Sequence, residues 1–228
     1  MLRKDAFAPG EYYHIYNRGI DKRVIFKSFS DYKRFMMLLY VANNQESIRL
    51  DDLLNQNKNN KTYQEIFSMK HDKLLVSIGA WCLMPNHFHV LVKEEVEGGI
   101  TKFMKKLGTA YSMYFNIKYQ RTGSLFGGVF KSKHITKDLY LKYLFGYISL
   151  NSLDIQFPEW ERLIDKQNSR FWREFLQKYT YSSFQDYIGI NRCEGSIINL
   201  KAFPEYFSTT DDFEDFIKSY LSFNPKEV

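Results

Sequence analysis

Residues 74–83 (LLVSIGAWCL) form an apolar run of β character, and residues 87–92 (HFHVLV) form another only three residues later. Met84-Pro85-Asn86 separates them, and proline there fixes φ for a tight turn. Two strand-like runs joined so closely pair as an antiparallel hairpin. This hairpin constrains the rest of the chain, because the other elements must supply strands beside it and helices over it. Residues 12–17 (YYHIYN) read as an earlier strand, and residues 129–135 as a later one. Residues 30–41 begin at a capping serine and show helical spacing at Phe35, Leu38, Leu39 and Tyr40. Residues 100–119 form a long helix with Ile100, Phe103, Met104, Leu107, Tyr111 and Tyr114 on one face, and residues 139–150 form another. The order is β-α-β-β-α-β with a following helix. An α+β fold with a ferredoxin-like antiparallel sheet, helices on one face, satisfies that order with short connections.

Residues 1–151 hold these elements, with residues 43–72, rich in Asn, Gln and Lys, reading as an insertion that carries a short helix near 50–54. Residues 152–228 are a looser C-terminal helical extension, with helices expected near 170–179 and 211–222. The chain has 228 residues, enough for a real core. Its two cysteines, Cys82 and Cys193, cannot build a disulfide framework or a cysteine zinc site. No apolar run reaches membrane-span length and the N-terminus lacks a signal-peptide core, so a soluble, cytoplasmic protein is expected.

The net charge of +6 is unevenly spread. Residues 102–142 hold nine Lys and Arg against the single acid Asp138, interleaved with Tyr111, Tyr114, Phe115, Tyr119, Phe126 and Phe130. Cations neutralise phosphates and aromatic rings stack on unpaired bases. A solvated helix face over an aromatic core explains the same stretch equally well.

His87 and His89 are two apart, so on a strand both project from one face while Phe88 projects from the other. Two imidazoles on one face form a bidentate platform for a metal or phosphate. No cysteine, HExxH segment or Asp-rich loop completes a metal site, leaving His14, His134 or a side-chain amide as further ligands. Imidazole alone suits zinc, whereas imidazole with amide oxygen and water, in a site that handles phosphate, suits Mg²⁺ or Mn²⁺ better. On the helix over 139–150, Tyr140, Tyr143 and Tyr147 recur at three and four, with Asn151 four beyond Tyr147. Tyrosines at that spacing are ordinarily core, Tyr143 is nearly as good a nucleophile as Tyr147, and Asn151 could be a simple helix cap.

YHIYNRG (13–19), WCLMPNHFHVLV (81–92), FMKKLGTAYSMYFNIKYQRTGSLFGGVFKSKHI (103–135) and YLKYLFGYISLN (140–151) together resemble the REP-associated tyrosine transposases of the single-tyrosine HUH superfamily. The likeness runs over residues 12–151, with a weaker echo in YSSFQDYIG (181–189). It implies a domain that nicks and rejoins single-stranded or hairpin DNA through a 5′-phosphotyrosine. By this likeness His87 and His89 match the metal-binding pair, Tyr147 the nucleophile and Asn151 a polar third ligand to Mg²⁺ or Mn²⁺. Asn151 stands where some relatives have Gln, Ser149 where many have His, and Ser152 where Pro is common. Lys105, Lys106, Arg121, Lys131 and Lys133 are the expected DNA contacts, with His134 and Tyr143 as auxiliary site residues. A monomer is expected, with a dimer sharing tyrosines as the variant. The rival readings are a non-catalytic hairpin-binding protein and a metal-dependent hydrolytic nuclease.

Overall fold

The computed structural model describes residues 6–71, 73–158 and 169–222. The expected ranges 1–151 and 152–228 therefore include residues (1–5, 72, 159–168 and 223–228) that lie outside the description. Four strands form one sheet: β1 (Tyr12–Arg18), β2 (Val76–Met84), β3 (His87–Glu94) and β4 (Lys131–Ile135), in the order β2-β3-β1-β4, every pair antiparallel. Helices α1 (Phe29–Val41) and α4 (Gly99–Lys118) follow β1 and β3, completing the β-α-β-β-α-β order expected of a ferredoxin-like α+β fold. The expected insertion carries α2 (Leu50–Leu54) and α3 (Tyr63–Phe67). After β4 come α5 (Asp138–Leu150), a 3₁₀ turn (Asn151–Ile155), α6 (Ser169–Lys178), the single turn α7 (Phe184–Tyr187) and α8 (Thr210–Ser222).

α1 starts one residue earlier than the sequence suggests. Its cap is Ser28, not Ser30, because the buried Asp31 carboxylate accepts from the Lys27 and Ser28 backbone N–H groups at 2.8 and 3.0 Å.

Strand alternation divides the interior in two. Tyr13 and Ile15 of β1 and Phe88, Val90 and Val92 of β3 join α1 and α4 in the core of one face, around Phe35, Phe103, Leu107 and Tyr111. On the other face Ala80, Cys82, Met84, Leu91 and Ile135 pack against Leu141, Leu144, Phe145 and Ile148 of α5. That second core also takes Leu176, Phe184, Tyr187, Phe203, Phe213 and Ile217, so the C-terminal residues are structurally continuous with the sheet.

The same residues explain why β2 reads as an unbroken apolar run. Every residue of β2 is buried although it is the outermost strand. The C-terminal segment covers its free edge: Leu83 N–H donates to Tyr181 O (2.9 Å), Ser183 N–H to Trp81 O (2.9 Å) and Asn199 N–H to Ile78 O (2.8 Å). An edge satisfied in this way offers no template for pairing with another chain. A register shift falls between Ile78 and Ala80, where the Phe203 ring sits so close to Gly79 that a Cβ there would meet it at 2.8 Å. Both cysteines are free thiols, Cys82 being buried. Among the described residues no helix is long and apolar enough to cross a membrane.

Candidate active site

The face of the sheet that meets α5 carries the chemistry. His14, Tyr16 and Arg18 alternate along β1, and His87 and His89 alternate along β3. Tyr16 pairs with His89 and Arg18 with His87 in the strand register. Lys131 and Lys133 of β4 lie opposite Tyr16 and His14. The rings form one cluster: His14 and His89 lie near-coplanar with centroids 5.0 Å apart, Tyr16 stacks on His89 at 5.7 Å, and His87 meets His89 edge-on at 5.0 Å.

α5 brings Tyr147 over this cluster. Its ring stands edge-on to His89 at 5.7 Å and to His14 at 5.8 Å. His14, Tyr16, His89, Lys133, Tyr140, Tyr143, Leu144 and Tyr147 line a cavity of about 430 Å³. Tyr140, Tyr143 and Tyr147 form a ladder of near-parallel rings, 6.0 and 6.4 Å between neighbours. Lys133 Nζ donates to the Tyr140 hydroxyl at 2.9 Å and sits 4.1 Å from that ring's centroid. Asn151, one turn beyond Tyr147, is 5% exposed and its side chain lies against His87.

Each imidazole of the pair is engaged through Nδ1. His87 Nδ1–H donates to Asn86 Oδ1 at 2.6 Å, and Asn86 is fixed in turn by Nδ2 donating to Lys22 O at 3.1 Å. His89 Nδ1 is 2.8 Å from His14 Nε2. Burial pushes all three imidazoles toward the neutral form. His14 is lowered to about 4, with Lys133 adding to the effect, and His87 also to about 4, with Arg18 adding and Asn151 opposing. His89 is well below its ordinary value, through burial first and then His14, His87 and Arg18. Neutral imidazole is the form that ligates metal.

The tight packing of α5 comes from its small residue. A Cβ at Gly146 would meet the Tyr220 ring at 2.6 Å and Phe216 at 3.2 Å, so α8 lies directly on the helix that carries Tyr147. Tyr143 is also gripped there, its ring 4.8 Å from that of Tyr220.

Other expected site residues are placed elsewhere. His134 pairs with Tyr13, stacks on it at 4.9 Å and bonds Glu11 at 2.7 Å, on the face turned away from the histidine pair. As an auxiliary ligand or base it is out of position, because one residue along a strand reverses the face. His14 directs Nε2 at the back of His89, which makes it a neighbour of that ring and not a third arm around the same spot. Lys105, Lys106 and Arg121 belong to α4 and the loop after it. Lys106 Nζ donates to Asn44 O and Glu46 O, both at 2.6 Å, and Arg121 to Asn116 Oδ1 and Ser124 O at 2.6 and 3.2 Å. Lys106 and Arg121 tie the chain to itself and Lys105 is exposed on the same helix, on the side opposite Tyr147; Lys131 and Lys133 stand on the site face. Arg18 was missed as a site residue, although i, i+2, i+4 alternation from His14 points to it.

An antiparallel sheet that presents a histidine pair to a tyrosine helix within one chain defines the architectural class. Residues 47–151, which contain both histidines, Tyr147 and Asn151, match the family described as transposase, IS200-like. Over that segment, somewhat under half of its length, the chain is similar to the IS200-like transposases. A solved structure described as a REP-associated tyrosine transposase bound to a REP hairpin is similar over 91% of this chain and 99% of that one, with a TM-score of 0.46 and 11% identity. No curated protein matches the chain.

Proposed function

We propose that the protein cuts and rejoins single-stranded or hairpin DNA by transesterification on Tyr147, with His87, His89 and Asn151 holding Mg²⁺ or Mn²⁺. The observation that carries this reading is the cavity that Tyr147 shares with His89 and His14 within a single chain. The donor set suits such an ion. Both paired imidazoles are engaged at Nδ1, which leaves Nε2 to ligate. Asn151 Oδ1 is buried with its side chain against His87, where an oxygen donor would join that imidazole on one ion. Among the described residues no group of three His, Cys, Asp or Glu surrounds one point, which agrees with a carboxamide as third ligand. When bound, the ion supplies Lewis acidity to the scissile phosphate.

The chain's own residues do the rest. Tyr147 loses its phenolic proton and its oxygen attacks phosphorus. A phosphorus–Oη bond forms and the bond to the 3′ oxygen breaks, giving a 5′-phosphotyrosine and a 3′-hydroxyl that takes up a proton. One ester replaces another, so the reverse attack rejoins the strand without ATP. α5, held between the sheet and α8, fixes the phenol in line and lowers the entropic cost of attack. Arg18, Lys131 and Lys133 flank the cluster and supply positive charge for the backbone phosphates. The exposed edge of the tyrosine ladder offers a stacking surface for an unpaired base.

The test is a labelled hairpin oligonucleotide incubated with and without Mn²⁺ and resolved under denaturing conditions. A metal-dependent covalent protein–DNA band, absent in Tyr147→Phe, is the expected result. Cleavage without an adduct would make the protein a hydrolytic nuclease, and binding without cleavage a passive hairpin binder; either overturns the reading.

A further inference from the structure

We propose that His14 is a positioning residue that accepts a hydrogen bond from His89 Nδ1–H and so turns the His89 Nε2 lone pair outward, an inference that rests on the reading of His89 as a metal ligand. The two imidazoles of the pair are supported in different ways. Asn86 Oδ1 can only accept, so the 2.6 Å contact admits only a proton on His87 Nδ1, and His87 Nε2 is then bare. The support of His89 is another imidazole, 2.8 Å away, and either ring can donate.

Only one of the two arrangements is compatible with ligation. If His14 Nε2–H donated, His89 Nδ1 would be the acceptor and the neutral ring would carry its proton on Nε2, closing it to a metal. If His89 Nδ1–H donates, His14 holds its own proton on Nδ1 and His89 Nε2 is free. Neutral His87 and His89 are then the same tautomer and present the same atom. The contact is well isolated from water: His14 is 6% and His89 7% exposed, and the rings lie near-coplanar, 23° apart, as an in-plane N–H···N bond requires. A buried hydrogen bond of this kind fixes ring orientation as well as tautomer. The central position of β1 in the sheet holds His14 rigidly, between β3 and β4.

The experiment measures Mn²⁺ binding to the metal-free protein by electron paramagnetic resonance, without DNA. Wild type, His89→Ala, His14→Phe and His14→Gln are compared. His14→Phe keeps the ring and removes the acceptor, and is expected to weaken Mn²⁺ by about 10–100-fold. His14→Gln supplies a carboxamide oxygen that accepts from Nδ1–H and is expected to recover most of that loss, which a purely space-filling role for His14 would not produce. Long-range ¹H–¹⁵N spectra of the wild-type protein provide a variant-free readout, with His89 expected as the Nδ1–H tautomer. Mn²⁺ binding lost in His89→Ala but unchanged in His14→Phe overturns the positioning role alone, as does a His89 Nε2–H tautomer. Mn²⁺ binding unchanged in His89→Ala overturns the ligand reading and this inference with it.

Discussion

The two faces of the sheet are built from the same strands and put to opposite uses. On the face toward α1 and α4, alternate residues are Tyr13, Ile15, Phe88, Val90 and Val92, and they join an apolar core. On the face toward α5, the intervening residues are His14, Tyr16, Arg18, His87 and His89, and a cavity stands where more core would otherwise be. The lysines follow the same division. Lys106 and Arg121, over the apolar core, are spent on carbonyls and a carboxamide, whereas Lys133 lines the cavity and Lys131 lies two residues along the same strand face. The lesson is that a cluster of charge in the sequence carries little functional information until the strand register sorts it by face.

The sharpest way to break this comparison is Tyr147→Phe. Adduct formation is expected to fall by at least about 10³-fold, equivalent to about 4 kcal/mol of barrier, with hairpin affinity within a few-fold on a filter-binding assay. Its counterpart on the other face is Phe88→Ala, which empties a fully buried site between the two histidines and is expected to cost about 3–5 kcal/mol in urea denaturation. Acid should weaken the imidazole face. The folded-state values of His14 and His87 are depressed to about 4 from 6.5, so the unfolded chain binds more protons as pH falls. Stability is therefore full above about pH 6.5 and is lost as pH falls toward 4, by on the order of a few kcal/mol, measurable as a falling denaturation midpoint. Gly146→Val should drive the Tyr220 ring aside, cost about 1–3 kcal/mol and slow adduct formation, with Tyr220→Ala restoring part of both. The smallest effect separates the lysines. Lys131→Ala with Lys133→Ala should lower hairpin affinity several-fold and flatten the salt dependence by about one to two phosphate contacts. Lys105→Ala with Lys106→Ala should leave both unchanged and register only in thermal stability.

Much of the fold was legible because it rests on local periodicity. The strand-turn-strand at Pro85, the His87/His89 alternation and the Tyr147–Asn151 helical step all follow from spacing alone. The short helix expected near 50–54 is found at Leu50–Leu54. What escaped depends on partners distant in sequence. Nothing near Ser182 or Asn199 announces pairing with the backbone of β2, since those contacts use main-chain groups that every residue has. The bond between His14 and His89 spans 75 residues and has no spacing signature, and the same holds for the carbonyls that occupy Lys106. His134 misled because proximity to a basic strand says nothing about which side of it a ring emerges from.

The contact of Tyr220 and Phe216 with Gly146 also sets an order of events during synthesis. The imidazole cluster is complete once β3 has docked on β1, but the groove that grips the Tyr147 helix lacks its outer wall until about sixty more residues have followed α5. A nascent or proteolytically shortened molecule would therefore hold the imidazole cluster without an aimed phenol. On the proposed reading, both the cutting and the rejoining directions would wait for that wall, because both use the one phenol.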